Sequence, residues 1–115
     1  MANFEVLQKL CLTMPESAEV PHFEKTSFRV KSKIFATYDT KNKRCSVKLN
    51  AVDQDIFCSS NKGIVYAVDN AWGKQGWTLI ELGPLKNEML EAIIKSAYCA
   101  VAPKNLAAIV SKTML

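Results

Sequence analysis

Seven basic side chains crowd one stretch of the chain. Arg29, Lys31, Lys33, Lys41, Lys43, Arg44 and Lys48 lie between Phe28 and Leu49, with Asp39 the one acid among them. That stretch carries a formal charge of +6 against +4 for the whole protein, so the positive character is local. Clustered lysine and arginine neutralise phosphates and release counterions, which gives sequence-independent affinity for nucleic acid. Arg29 and Arg44 can hold phosphate oxygens with a forked donor pair, whereas the lysines act as point charges. No residue set here argues for reading base edges, so non-specific or shape-dependent binding is expected. Trp72 and Trp77 flank Gly73-Lys74-Gln75-Gly76. Trp72 in this glycine-bearing stretch, next to Lys74, is a candidate for stacking on a base or sugar. Trp77 begins an alternating segment and is assigned to the core. The same lysines also suit a plain solvated face that protects strand edges from aggregation.

Other chemistries find little support. Cys11, Cys45, Cys58 and Cys99 form no C-x-x-C pair, and His22 is the single histidine. A structural zinc site of ordinary spacing is therefore not expected. Each cysteine falls on an apolar side of an expected element and reads as a core thiol in a reducing cytoplasm. His22, between Pro21 and Phe23, has no adjacent nucleophile or carboxylate and reads as a structural, hydrogen-bonded side chain. Glu5, Glu16, Glu19 and Glu24 are too dispersed for a hard-cation site, which needs several converging oxygens. No glycine-rich phosphate loop follows a strand. Catalytic residues, metal ligands and cofactors are thus all expected to be absent. No apolar run approaches the roughly 20 residues that cross a bilayer. The N-terminus carries Glu5 and lacks a basic leader pattern, so no signal peptide is expected.

The elements that would position these residues follow from the pattern of the 115-residue chain, read as a single domain spanning 1–115. Asn3 caps a first helix with Phe4, Leu7, Leu10, Cys11 and Met14 at helical spacing, and Pro15 ends it. Glu16 to Lys25, bearing Pro21 and three acids, reads as an extended connector. Ser27–Val30, Ile34–Asp39 and Arg44–Leu49 read as three strands. Alternation then puts Arg29, Lys31, Arg44 and Lys48 on the face away from the helices, with Lys33, Lys41 and Lys43 at the turns. The turn type of Lys31-Ser32-Lys33 is left open. In Thr40-Lys41-Asn42-Lys43 the left-handed residue is expected at Asn42. A short helix capped by Asn50 turns Val52, Ile56 and Phe57 to one side, and Gly63 ends it. Ile64–Val68 and Trp77–Leu82 are strands around a loop from Asp69 to Gly76. Gly83-Pro84 opens the longest helix, whose stripe runs from Leu85 to Val101. Pro103 breaks it before a last helical segment to about Lys112. The order α-β-β-β-α-β-β-α-α implies an α+β two-layer sandwich. An antiparallel sheet of about five strands carries helices on one face.

That order, together with several local runs, resembles the MmcQ/YjbR-like family. Leu12-Thr13-Met14-Pro15-Glu16-Ser17-Ala18-Glu19 is similar to the family's opening. Ser27 to Ala36 resembles its strand-turn-strand, Ser46-Val47-Lys48-Leu49 its third strand, and Gly76-Trp77-Thr78-Leu79 its tryptophan-bearing strand. Pro84 and the helix through Ala97-Tyr98 fit the closing helix. The resemblance covers about residues 5 to 102. It implies a CyaY-like α+β fold with two hairpins forming a double wing, and an activity of DNA binding. Two departures stand out. The usual proline-glycine-alanine is Pro15-Glu16-Ser17 here, and Gly73-Lys74-Gln75-Gly76-Trp77 lacks the asparagine and histidine that many members carry.

Residues and resemblance together predict a small, cytoplasmic, non-enzymatic DNA-binding module. Its contact residues are Arg29, Lys31, Lys33, Lys41, Lys43, Arg44, Lys48, Trp72 and Lys74. A protein-interaction domain, with an apolar patch around Leu106 and Ile109, is the alternative. A small-ligand or metal carrier is the third reading, and it requires a pocket with convergent polar groups.

Overall fold

The computed structural model describes residues 2–112. The predicted domain span also includes residues 1 and 113–115, which lie outside the described residues. Helix α1 (Phe4–Thr13) starts where the Asn3 side chain accepts a hydrogen bond from the Val6 amide at 2.9 Å. It buries Leu7 and Cys11, one turn apart, and gives way before Pro15. Six strands follow: β1 (Ser17–His22), β2 (Lys25–Val30), β3 (Lys33–Asp39), β4 (Arg44–Lys48), β5 (Val65–Ala67) and β6 (Trp77–Glu81). Between β4 and β5 lies α2 (Ala51–Ser60), and between β5 and β6 the single turn α3 (Ala71–Lys74). The chain closes with α4 (Asn87–Val101) and α5 (Lys104–Lys112). All strand pairs are antiparallel, in the spatial order β1-β2-β3-β4-β6-β5.

The α+β two-layer reading holds, with one strand more than expected. The segment taken as a connector is β1, which pairs along its length with β2. Pro21 misled the reading: an edge strand tolerates a residue that cannot donate to the ladder, and β1 is an edge. Its hairpin to β2 turns at Phe23, which adopts φ 58°. The next hairpin turns on Lys31 and Ser32 alone, with φ 50° and 67°. Two successive positive φ values between paired strands make the type I′ turn whose twist suits a hairpin, here without glycine. In the β3–β4 turn the left-handed residue is Lys43 (φ 53°), not Asn42. Asn42 is held in another role: its side-chain amide donates to Asp39 Oδ2 at 2.7 Å.

The core lies between one sheet face and the helices. Phe28 and Val30 of β2, Phe35 and Ala36 of β3, Cys45 and Val47 of β4 and Ile80 of β6 are buried there. A bulge in the β2–β3 ladder leaves Phe35 without a cross-strand partner, and bulges bend and twist the strand that holds them. Helix α4 lays Leu90, Ile93, Ile94, Ala97 and Tyr98 on this face at helical spacing. The Phe35 and Tyr98 rings meet edge-on, 5.4 Å apart. The Tyr98 hydroxyl donates to the Pro15 carbonyl at 2.6 Å, tying α4 to the end of α1. Burying each large side chain contributes on the order of 1.5–3 kcal/mol. Helix α4 begins at Asn87 rather than at Pro84, because Leu82 to Leu85 form a turn closed by the Leu85 amide on the Leu82 carbonyl.

Helix α2 is rotated from the expected orientation. Val52 and Ile56 face solvent, at 68% and 51% exposure, while Gln54, Phe57 and Cys58 turn inward. Gln54 sets the rotation. Its amide donates to the Gly73 carbonyl (2.9 Å), to Thr78 Oγ1 (3.1 Å) and to the Trp77 carbonyl (3.3 Å). These bonds add to partners the acceptors already have, the Gly76 amide on the Gly73 carbonyl and the Val68 amide on the Trp77 carbonyl, and each contributes about 0.5–1.5 kcal/mol net.

Candidate functional site

Among the described residues the sheet face away from α4 carries no helix except the short turn α3 at one end, and alternation fixes what points onto it. Ser27 pairs with Thr37, Thr37 with Ser46, and Ser46 with Leu79, so this row runs straight across four strands. Arg29 pairs with Ile34, Lys48 with Trp77, and Arg44 with Glu81 on the same face. The face is concave. A hollow of about 490 Å³ reaches from His22 on β1 to Trp72 on α3. Its floor is apolar, formed by Ile34, Leu79 and Val68, with Trp77 and Trp72 at one end. In mid-floor Thr37 Oγ1 and Ser46 Oγ share a hydrogen bond of 2.5 Å. Lys25 and His22 close the other end. A second depression of about 250 Å³ adjoins it, between Asp39, Asn42 and Arg44.

The predicted contact residues divide into three groups. Arg29, Arg44 and Lys48 reach the uncovered face. Arg29 Nε donates to Ser27 Oγ at 3.0 Å, and its Nη2 lies 3.4 Å from His22 Nδ1. Arg44 donates to the Tyr66 hydroxyl at 3.3 Å and stands 4.0 Å from Glu81, to which Tyr66 also donates. Lys48 donates to the Gln75 carbonyl, and its ammonium lies 6.0 Å from the centre of the Trp77 ring. Lys31 forms the second group. It does not share that face, because it belongs to the two-residue turn and pairs with Glu16 at 2.7 Å. Lys33, Lys41 and Lys43 make up the third group, exposed at or beside the hairpin turns. The Asp39 carboxylate accepts from the Lys41 and Asn42 amides there, and its bond to the Asn42 side chain holds its pKa below the ordinary value.

The aromatic residues are not where they were expected. Trp72 is exposed at 59%, as predicted, but it sits on α3 rather than in a loop. Asn70 caps that turn by accepting from the Trp72 amide at 2.8 Å. Lys74, the last residue of α3, is exposed. Trp77 is half-buried on the uncovered face and contributes to the hollow, whereas Thr78 and Ile80 are the residues of β6 that enter the core. Alternation gave the correct two faces of this strand. It gave no means of knowing which of them the helices cover.

Sequence reasoning also passed over His22, Lys25 and Phe23. His22 was read as structural; it lines the hollow and lies beside Arg29. Phe23 is 96% exposed at the tip of the β1–β2 hairpin, in a backbone region that bulky residues rarely enter. The apolar patch expected around Leu106 and Ile109 does not form as such. Leu106 of α5 is buried, and of the two only Ile109 is exposed, at 53%. Among the described residues no group of three or more His, Cys, Asp or Glu side chains could hold a metal ion. Among the same residues no helix is long and apolar enough to cross a membrane.

Comparison with known proteins agrees with this architecture. A family model described as YjbR matches residues 12–100. Among solved structures, the Deinococcus radiodurans protein DR2400, bearing the family-model domain DUF419, is similar with a TM-score of 0.75. That likeness covers 87% of this chain and 78% of the other at 21% identity, and it is a likeness of fold. No curated protein matches.

Proposed function

Since the chain belongs to the YjbR family, we propose that it is a small, non-enzymatic DNA-binding module whose contact surface is the uncovered face of the sheet. One observation carries this reading. Arg29, Arg44 and Lys48 stand on the uncovered face together with Lys25, around a hollow that holds two tryptophans. Such a face meets phosphates with its cations and leaves sequence unread, because no side chain is arranged as a bidentate reader of a base edge. The turns bearing Lys33, Lys41 and Lys43 act as wings that flank the bound strand. Four free thiols favour a reducing compartment such as the cytoplasm.

Fluorescence anisotropy with labelled DNA of unrelated sequences tests this. Binding is expected at low salt and should weaken steeply as salt is added. Arg29→Gln should lower the affinity for every sequence about equally and flatten the salt dependence by about 0.7–0.9 in log–log slope. No binding at low salt would refute the reading. Protein partners retained after nuclease treatment at high salt would support an adaptor instead, and the exposed Val52 and Ile56 of α2 would be the place to look.

A further inference from the structure

A duplex backbone needs cations but has no use for an apolar hollow. The uncovered face has both. Its floor of Ile34 and Leu79 lies between Trp72 and His22, and the hollow's volume of about 490 Å³ falls within the range of small-molecule sites. The backbone that carries Trp72 is held in place. The Asn70 cap fixes the start of its turn. The backbone at Gly73 lies so close to Val68 that a Cβ there would come 1.9 Å from the Val68 carbonyl oxygen. A ring this exposed, carried on a fixed backbone, presents a stacking surface that has only its own side-chain rotations to lose. The Thr37–Ser46 hydroxyl pair offers donors and acceptors in mid-floor, and Lys25 lies at the far end of the hollow.

Resting on the DNA-binding reading above, we propose that this hollow receives an unpaired nucleobase stacked on Trp72, with its phosphates on the surrounding cations. Stacking on an aromatic side chain is sequence-tolerant, since every base has a π-face. The module therefore favours single-stranded over duplex DNA. The occupant's chemistry, a base bearing a phosphate, is shared by a strand and by a free nucleotide, so the experiment separates them.

Anisotropy at low salt compares a short labelled single strand with its duplex, for the wild type and for Trp72→Ala. Trp72 is largely exposed, so its removal leaves the core intact. The single strand should bind about tenfold or more tighter than the duplex. Trp72→Ala should remove most of that preference, weakening the single strand far more than the duplex. Displacement of the strand by an equal concentration of nucleoside monophosphate would support the same occupied hollow with a free nucleotide as its source. Equal binding of both forms, untouched by Trp72→Ala, would overturn the hollow's role and leave phosphate binding standing. Absence of binding to either form would overturn both.

Discussion

Two thiols are sealed inside the core. Cys11 and Cys45 are fully buried, and desolvation pushes both well above the ordinary thiol range. The folded state therefore keeps protons that the unfolded chain releases near its ordinary thiol pKa of about 8.5. The sign follows directly. Stability from these groups is complete below that pH and is lost as pH rises above it, at about 1.4 kcal/mol per pH unit for each thiol. Urea midpoints measured from pH 8 to pH 10.5 (roughly, the window set by that pKa) should fall, and Cys45→Ala should make the slope shallower, leaving what Cys11, Cys58 and Tyr98, also raised by burial, contribute. A flat profile would show that these thiols ionise in the fold. Cys11 and Cys45 were legible in the sequence because each sat at an apolar position of a periodic segment, whereas Cys58 and Cys99, expected in the core on the same ground, are only half-buried. Phe23 was not legible. Its exposure depends on a hairpin whose outer strand was hidden by Pro21, and a residue at φ 58° carries no mark in the sequence when it is not glycine.

At the scale of elements, two glycines decide how α3 is held against the sheet. Gly76 has φ +107°, and a Cβ added there would meet the Leu49 carbonyl oxygen at 1.9 Å. The same pair of residues is hydrogen-bonded, the Leu49 amide donating to the Gly76 carbonyl at 3.0 Å. An alanine cannot enter without separating β4 from the start of β6. Gly76→Ala should therefore destabilise by more than about 1 kcal/mol in chemical denaturation. Gly83 gives the contrast, since a Cβ there meets nothing within 4 Å. Gly83→Ala should be neutral or stabilising by up to about 1 kcal/mol, through the unfolded chain. Comparable losses at both positions would show that backbone approach is not what Gly76 supplies. Strong periodicity made α1, α4 and β4 readable, because their burial repeats at 3.6 or 2 residues, while β2 and β3 read as strands from their apolar, β-branched content although a bulge puts Phe35 and Ala36 side by side in the core. The failures lay where a polar group overrides hydrophobic pattern. Gln54 anchors α2 in its rotated orientation through its side-chain amide, and an edge strand with proline escapes the rules for central ones.

The whole molecule separates a helical side from a charged, concave side, and that separation distinguishes a surface from a mere excess of charge. Alternation located the two faces of β4 and β6, but the bulge at Phe35 turns Ile34 onto the uncovered face, and the hollow arises only from the assembled sheet, where residues of β1 and α3 line one depression. No spacing in the chain encodes that meeting. Two triple variants with the same formal charge test its consequence. Lys25→Gln, Arg29→Gln and Lys48→Gln together clear cations from the uncovered face and take the net charge from +4 to +1. Lys33→Gln, Lys41→Gln and Lys43→Gln reach the same net charge by changing only the turns. If affinity came from net charge, both would weaken DNA binding alike. If it comes from phosphates laid on the face, the first should flatten the salt dependence by about 2 in log–log slope for a single strand, at about 0.7 per contact. The second should change it by less than about half as much, because the turn lysines flank the bound strand rather than lie beneath its phosphates, and screening weakens a charge as its separation grows toward a Debye length of roughly 10 Å. A larger loss from the turn variant would move the contact surface from the concave face to the hairpin tips.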